Sequence, residues 1–262
     1  KADPFVAGNM AMLEATEREG MVYGTGWDAT GIWNYFASFY GHAWLWQGRG
    51  DKAAQSLYAY ANHAAPMLVW REEQSLKGAP YKKVGDMPHN WASAEFIRLV
   101  IHMLALDRGS ELHLLEGLPV EWTKPGMVTS LDNVVTTCGK LTMELRIASD
   151  GRKARLKVKP LAGDSCSRVV VHLGNWASPA PRATLVLDPK EGTDRTIIPS
   201  PHSNSAVAAS LSPGPLQAAD NIQRSTPIIR SQWSTGPGIR LRPRNRSSVL
   251  SRKFTSPFPQ SL

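Results

Sequence analysis

The chemically richest stretch of the chain is Trp70-Arg71-Glu72-Glu73-Gln74, where two adjacent carboxylates follow an indole. In an extended segment alternate side chains face opposite ways, so Trp70, Glu72 and Gln74 share one side and Arg71 and Glu73 the other. Adjacent glutamates therefore do not form an acid and base pair. Hydrolysis of a glycosidic bond needs two carboxyls flanking it, about 5–5.5 Å apart for retention or about 6.5–9.5 Å for inversion, so the second must come from elsewhere. Glu72, with Trp70 as a stacking wall, is the first choice of general base. Glu73 takes that role if the segment turns, and Glu95 is the third candidate. The plain alternative is a solvated carboxylate pair.

Asp86-Met87-Pro88-His89-Asn90-Trp91 precedes a helical pattern. Asp86, His89, Asn90 and Trp91 would gather at the helix N-terminus, where free backbone donors meet a ligand oxygen. A helix cap at Asp86 or Asn90, with Trp91 packed, is the simpler reading of the same residues. Trp27 and Asp28, in Gly26-Trp27-Asp28-Ala29, complete the substrate-binding candidates, and Asp28 also suits a cap. Glu95, Arg98 and His102 lie on one polar stripe, and a spacing of three makes Glu95 and Arg98 an ion pair more often than catalytic machinery. No phosphate-binding loop, His-Glu-x-x-His or Gly-x-Ser-x-Gly pattern occurs. No metal or cofactor is expected, and Cys138 and Cys166, without metal-ligand spacing, read as two free core thiols.

Helices are expected to position these groups in the first part of the chain. The pattern predicts helices over Val6 to Glu17, Thr30 to Gln47, Asp51 to Ala64 and Asn90 to Asp107, with Asp51 as an N-cap and Gly109 as a C-cap. The second and third form an antiparallel hairpin across Gly48-Arg49-Gly50. Trp33, Tyr35, Phe36, Phe39, Tyr40, Trp44 and Trp46 crowd the second helix, and at helical spacing most of them belong to the core. After Gly109 the period becomes two. Leu141, Met143, Leu145 and Ile147 alternate with polar residues, Ser149-Asp150-Gly151 turns, and Ala154, Leu156 and Val158 alternate again, a hairpin with one buried face. Arg168 to Leu173 and Ala183 to Leu187 add strands to a small antiparallel sandwich.

The formal charge of +8 is concentrated at one end. Residues 200–262 hold seven Arg, one Lys and one Asp, or 8 minus 1, giving +7; the remaining residues carry 22 minus 21, or +1. That Ser/Pro-rich stretch lacks useful periodicity and is expected to be a disordered basic tail. Arg240 to Arg246 could attract phosphates, but the only aromatics near it are Trp233 and Phe254 and no nucleic-acid module accompanies it, so nucleic acid is not an expected partner. No apolar run is long enough for a membrane span, and the Lys-Ala-Asp-Pro start has no signal-peptide sections.

Four segments carry a family resemblance: Gly31 to Gly50 (GIWNYFASFYGHAWLWQGRG), Leu68 to Gln74 (LVWREEQ), Val84 to Leu99 (VGDMPHNWASAEFIRL) and Leu112 to Trp122 (LHLLEGLPVEW). In this order they resemble the C-terminal part of bacterial six-hairpin glycosidases, including enzymes similar to α-L-rhamnosidases. The likeness extends from Val6 to His172. It implies an (α/α)6 toroid with a C-terminal β-sandwich, acting on glycosidic bonds. With fewer helices than such a toroid, this chain is expected to be an α+β fragment: a partial barrel over 1–109, an antiparallel sandwich over 110–199 and the tail over 200–262. A carbohydrate is the expected substrate. Self-association through exposed barrel faces and negligible hydrolysis by this chain alone follow from the same expectation.

Overall fold

A computed structural model describes residues 3–24, 29–80, 85–174, 176–177 and 183–199. The expected tail from residue 200 onward lies outside the described residues, as do Trp27 and Asp28.

The first helix, α1 (Pro4–Thr16), starts where Asp3 accepts the Phe5 amide at 2.8 Å and Pro4 occupies the first turn. A short strand follows, β1 (Gly31–Trp33), then α2 (Phe36–Trp46) and α3 (Gly50–Asn62). Between these two helices the Arg49 amide donates to the Trp44 carbonyl and the Gly48 amide to that of Leu45, the paired bonds of a Schellman turn. Asp51 does not cap α3; its carboxylate holds the Arg49 guanidinium at 2.9 Å. On α3, Ala53, Leu57 and Tyr60 form the buried stripe. Strand β2 (Glu73–Ser75) pairs antiparallel with β1, and α4 (Asn90–Leu104) lays Ala92, Leu99 and Met103 against both α2 and α3.

Helix α4 runs without a linker into β3 (Ala105–Arg108), which turns at Gly109 into β4 (Glu111–Leu114). Gly109 is thus a hairpin turn and not a helix cap, and the sheet begins four residues before it. The remaining strands are β5 (Val128–Thr136), β6 (Gly139–Ile147), β7 (Ala154–Val158), β8 (Arg168–His172), β9 (Thr184–Leu187) and β10 (Thr193–Ile197). One sheet has the order β10-β7-β6-β5, the other β3-β4-β8-β9. Leu141, Met143, Leu145 and Ile147 of β6 and Ala154, Leu156 and Val158 of β7 face inward as their alternation requires. They meet Leu112, Leu114, Val169 and Val171 from the second sheet in one core.

The fold class differs from the expected partial (α/α)6 barrel. Among the described residues there are four α-helices and three sheets, a mixed α+β arrangement in which no ring of helical hairpins forms. Two causes are visible. The residues read as the start of the second helix form β1 and pair with β2, and α4 packs onto β3 and β4 as well as onto the other helices. The helical layer therefore closes on a sheet. The sandwich also departs from all-antiparallel pairing, because β4 and β8 are parallel.

The cysteines are corrected too. Cys138, at the β5–β6 turn, and Cys166, ahead of β8, form a disulfide across a sequence separation of 28. It ties one sheet to the other.

Candidate functional site

Several of the residues singled out in the sequence converge at the N-terminus of α4. The chain between Trp70 and β2 lies beside the chain between Asp86 and α4: the His89 amide donates to the Trp70 carbonyl at 2.8 Å and the Glu72 amide to that of Asp86 at 3.1 Å. Asn34, fully buried, fixes the same segment from the β1 side by donating its side-chain amide to the Arg71 carbonyl at 2.7 Å and to Gln74 Oε1 at 3.1 Å. As a result, donor atoms of Glu72, Asp86 and His89 lie within 4.8 Å of one another.

Asp86 Oδ1 sits 2.6 Å from His89 Nδ1. A carboxylate oxygen accepts, so His89 donates its Nδ1–H to Asp86, and Nε2 lies on the far side of the ring. That nitrogen is buried and has no hydrogen-bond partner among the described residues. His89 is the N-cap residue of α4 yet places no side-chain bond on the helix amides. Tyr35 and Trp91 flank the imidazole, with ring centroids 5.5 Å and 6.0 Å from it, and Trp91 remains 66% exposed. Burial raises the Tyr35 phenol, and the nearby Glu72 and Glu73 charges raise it further. Asn90 is exposed in the first turn of α4.

The other predicted residues are placed differently. Glu72 sits at a bend, which breaks the strand alternation between Trp70 and β2. Trp70 is buried against Tyr60 and Phe96 and donates its indole N–H to the Tyr60 carbonyl at 2.7 Å, so it is a core residue and offers no wall to a ligand. Glu73 is only 1% exposed, opposite Trp33 in the β1–β2 pair. A side chain at Gly31 would overlap the Glu73 carboxylate, which explains a glycine there. Gly85, at φ +68, makes the same close approach to Glu72. Glu95 pairs with Arg98 at 2.7 Å and accepts from Ser38 Oγ at 2.8 Å. It is an ion-pair residue of the α4 surface. Of the aromatic cluster, Trp33, Tyr35, Tyr40 and Trp44 are buried while Phe39 and Trp46 are exposed.

Behind Glu95, His42 Nε2 meets His102 Nδ1 at 2.8 Å and His42 Nδ1 donates to the Ser38 carbonyl at 2.7 Å. Burial drives His42 down to about 4, and the facing His102 and Arg98 add to that fall, while the Ser38 carbonyl and Glu95 oppose it. The unfolded chain takes up this proton as pH falls through about 6.5, whereas the folded protein refuses it until about 4. Stability is therefore complete above that upper value and declines between the two. Urea titrations from pH 7 to pH 4 are expected to show a loss of roughly 3 kcal/mol from this ring. His42→Gln should flatten that part of the profile; an unchanged slope would remove His42 as its source.

A second cluster, which the sequence reading does not name, lies where the helices meet the sandwich. His113 Nδ1 is 2.9 Å from His172 Nε2, and Glu116 Oε2 is 3.8 Å from the same nitrogen. The parallel β4–β8 register pairs His113 with Val170, which puts His113 and His172 two positions apart on neighbouring strands and on one face. Leu115, at φ +63, then turns the chain so that the buried Glu116 joins them. Arg108 reaches Glu116 Oε2 at 2.6 Å and the Leu45 carbonyl at 2.5 Å, bridging α2 to the seam. The Leu112 to Trp122 segment supplies this seam, with Leu112, Leu114, Leu115 and Leu118 buried in the sandwich core.

No protein-family model and no curated protein matches the chain.

Proposed function

We propose that the N-terminus of α4 carries a carbohydrate site, at which Glu72 serves as the general base of glycosidic-bond hydrolysis. The observation that carries this reading is the convergence of the Glu72 carboxylate, the Asp86–His89 pair and the Tyr35 and Trp91 rings at one corner. Each part has a chemical use. Trp91 offers an exposed aromatic face to the apolar side of a sugar ring. Asp86, whose side chain is exposed and held in place by the His89 Nδ1–H, accepts a sugar hydroxyl, and Glu72 withdraws a proton from the attacking water. Asp86 is not the acid partner of an inverting mechanism, since its carboxylate lies within 4.8 Å of Glu72 and is engaged by His89. The acid belongs to a carboxylate outside this cluster. The resemblance of the Leu68 to Gln74 and Val84 to Leu99 segments to six-hairpin glycosidases supports the same substrate class.

The alternative is a noncatalytic carbohydrate-binding or structural role. The hydrolytic and the carbohydrate-binding readings both require a glycan to bind here. Screening the purified protein against immobilised glycans, then titrating the best ligand calorimetrically, is expected to give saturable binding that weakens roughly tenfold in Trp91→Ala. Absence of binding to every glycan, or affinity indifferent to Trp91, would refute the site. Binding without turnover is expected of this chain alone under both readings, and turnover of the matching aryl glycoside once the acid partner is present separates them.

A further inference from the structure

We propose that His113, His172 and Glu116 form a binding site for one divalent transition-metal ion, with Zn2+ the best match. Two imidazoles and a carboxylate are a recurrent zinc donor set that leaves a fourth position for water or another ligand. Metal–donor bonds of about 2.0–2.2 Å in tetrahedral geometry place donor atoms roughly 3.3 Å apart. The observed separations of 2.9 Å between the imidazole nitrogens and 3.8 Å from His172 to Glu116 bracket that value. The third pair, His113 with Glu116, lies within 4.8 Å, so drawing the Glu116 carboxylate inward by up to roughly 1.5 Å completes the fit.

The surroundings point the same way. Glu111 Oε2 lies 3.0 Å from His113 Nε2, and the other oxygen of the same carboxylate, Oε1, is held by Arg168. Because the carboxylate accepts, the proton of His113 sits on Nε2, and Nδ1 presents its lone pair to His172 and Glu116. A carboxylate on the outer nitrogen of a histidine is the usual support of a metal ligand, fixing both tautomer and ring orientation. Strands β4 and β8 hold the two rings rigidly, and Glu116 is only 4% exposed.

The charge arrangement narrows the choice of ion. Glu111 and Glu116 are matched by Arg168 and Arg108, so the site has no excess of negative charge with which to draw in a hard cation. Only an ion that gains by bonding to imidazole is favoured here. That selects Zn2+ or Co2+ over Ca2+ and Mg2+.

The experiment uses the untagged full chain, stripped with a chelator. Zn2+ competition against a chromophoric chelator is expected to show one tight equivalent, undisturbed by excess Ca2+, and Co2+ should give the visible absorption of a tetrahedral site. His113→Gln and His172→Gln should each weaken binding at least about 100-fold, while His89→Gln at the α4 cluster leaves it unchanged. Glu111→Gln, which keeps all three ligands, should weaken it about 10- to 100-fold and serves as the measure if a ligand variant does not fold. Failure to compete for Zn2+, binding that survives both histidine substitutions, loss in His89→Gln, or an unaltered affinity in Glu111→Gln would each overturn the site.

Discussion

With the proposed acid partner present, Glu72→Gln is expected to lower glycoside turnover by about 100- to 10,000-fold while leaving the melting temperature near that of the parent protein. The side chain is half-buried at a bend, with its backbone amide held by the Asp86 carbonyl, so the amide isostere keeps the local geometry and removes only the basic oxygen. Glu73→Gln separates the two neighbouring carboxylates. Glu73 is buried against Gly31 beneath the site, and its substitution should register as a change in stability before any change in the chemical step. Glu95→Gln should loosen Arg98 and Ser38 on the flank of α4 and reduce turnover less than about tenfold. The measurement is a set of kcat and kcat/KM values on one aryl glycoside, with thermal melts alongside. Near-normal turnover in Glu72→Gln would remove it as the base. Abolished activity in Glu95→Gln with an intact melt would move the base to α4.

The second large effect is expected in the sandwich. Replacing both Cys138 and Cys166 by Ala frees a loop with a sequence separation of 28. Loop-closure arithmetic for that length gives a loss of about 3–4 kcal/mol. A single domain is typically stable by only about 5–15 kcal/mol, so the denaturant midpoint should fall steeply, and a reductant should have a similar effect on the parent protein. Equilibrium unfolding followed by far-UV circular dichroism measures both. A double variant within about 1 kcal/mol of the parent would show that the sheets are held together without the bridge.

Legibility of the fold followed the range of the interactions. The β6–β7 hairpin could be read because its alternation and turn are local. Strand β1 was concealed: Ile32 and Trp33 fit a helical stripe with the aromatics that follow, and their partners in β2 lie some forty residues away. Strand β3 was hidden in the apolar run that ends α4, since Leu104, Ala105 and Leu106 extend a helical stripe as readily as they begin a buried strand. Strand β10 has a mostly polar, exposed sequence and little periodic signal. At the candidate site, Asp86, His89 and Trp91 are legible from residue type and nearness to a helix start, and Glu72 from its carboxylate beside Trp70. Asn34 and Tyr35 fit the interior of a helix in the sequence pattern, and their part in building the site follows only from the β1–β2 pairing. His113 and His172 meet only through a parallel register, and no spacing within the chain reveals it.

The linker-free passage from α4 into β3 bears on how this protein can be recombined. A helix of 15 residues is a rod of about 22 Å, with the proposed sugar site at its first turn and a sheet strand at its last. Any rotation of the rod would be transmitted directly to the β3–β4 hairpin, and Arg108 resists it by gripping both Leu45 and Glu116. The helical layer and the sandwich are therefore poor exchangeable cassettes. A chimera spliced at Gly109 would leave the donor helix carrying an orphan strand, whereas a crossover in the loop between β2 and α4 would move α4, β3 and the whole sandwich as one inheritable block.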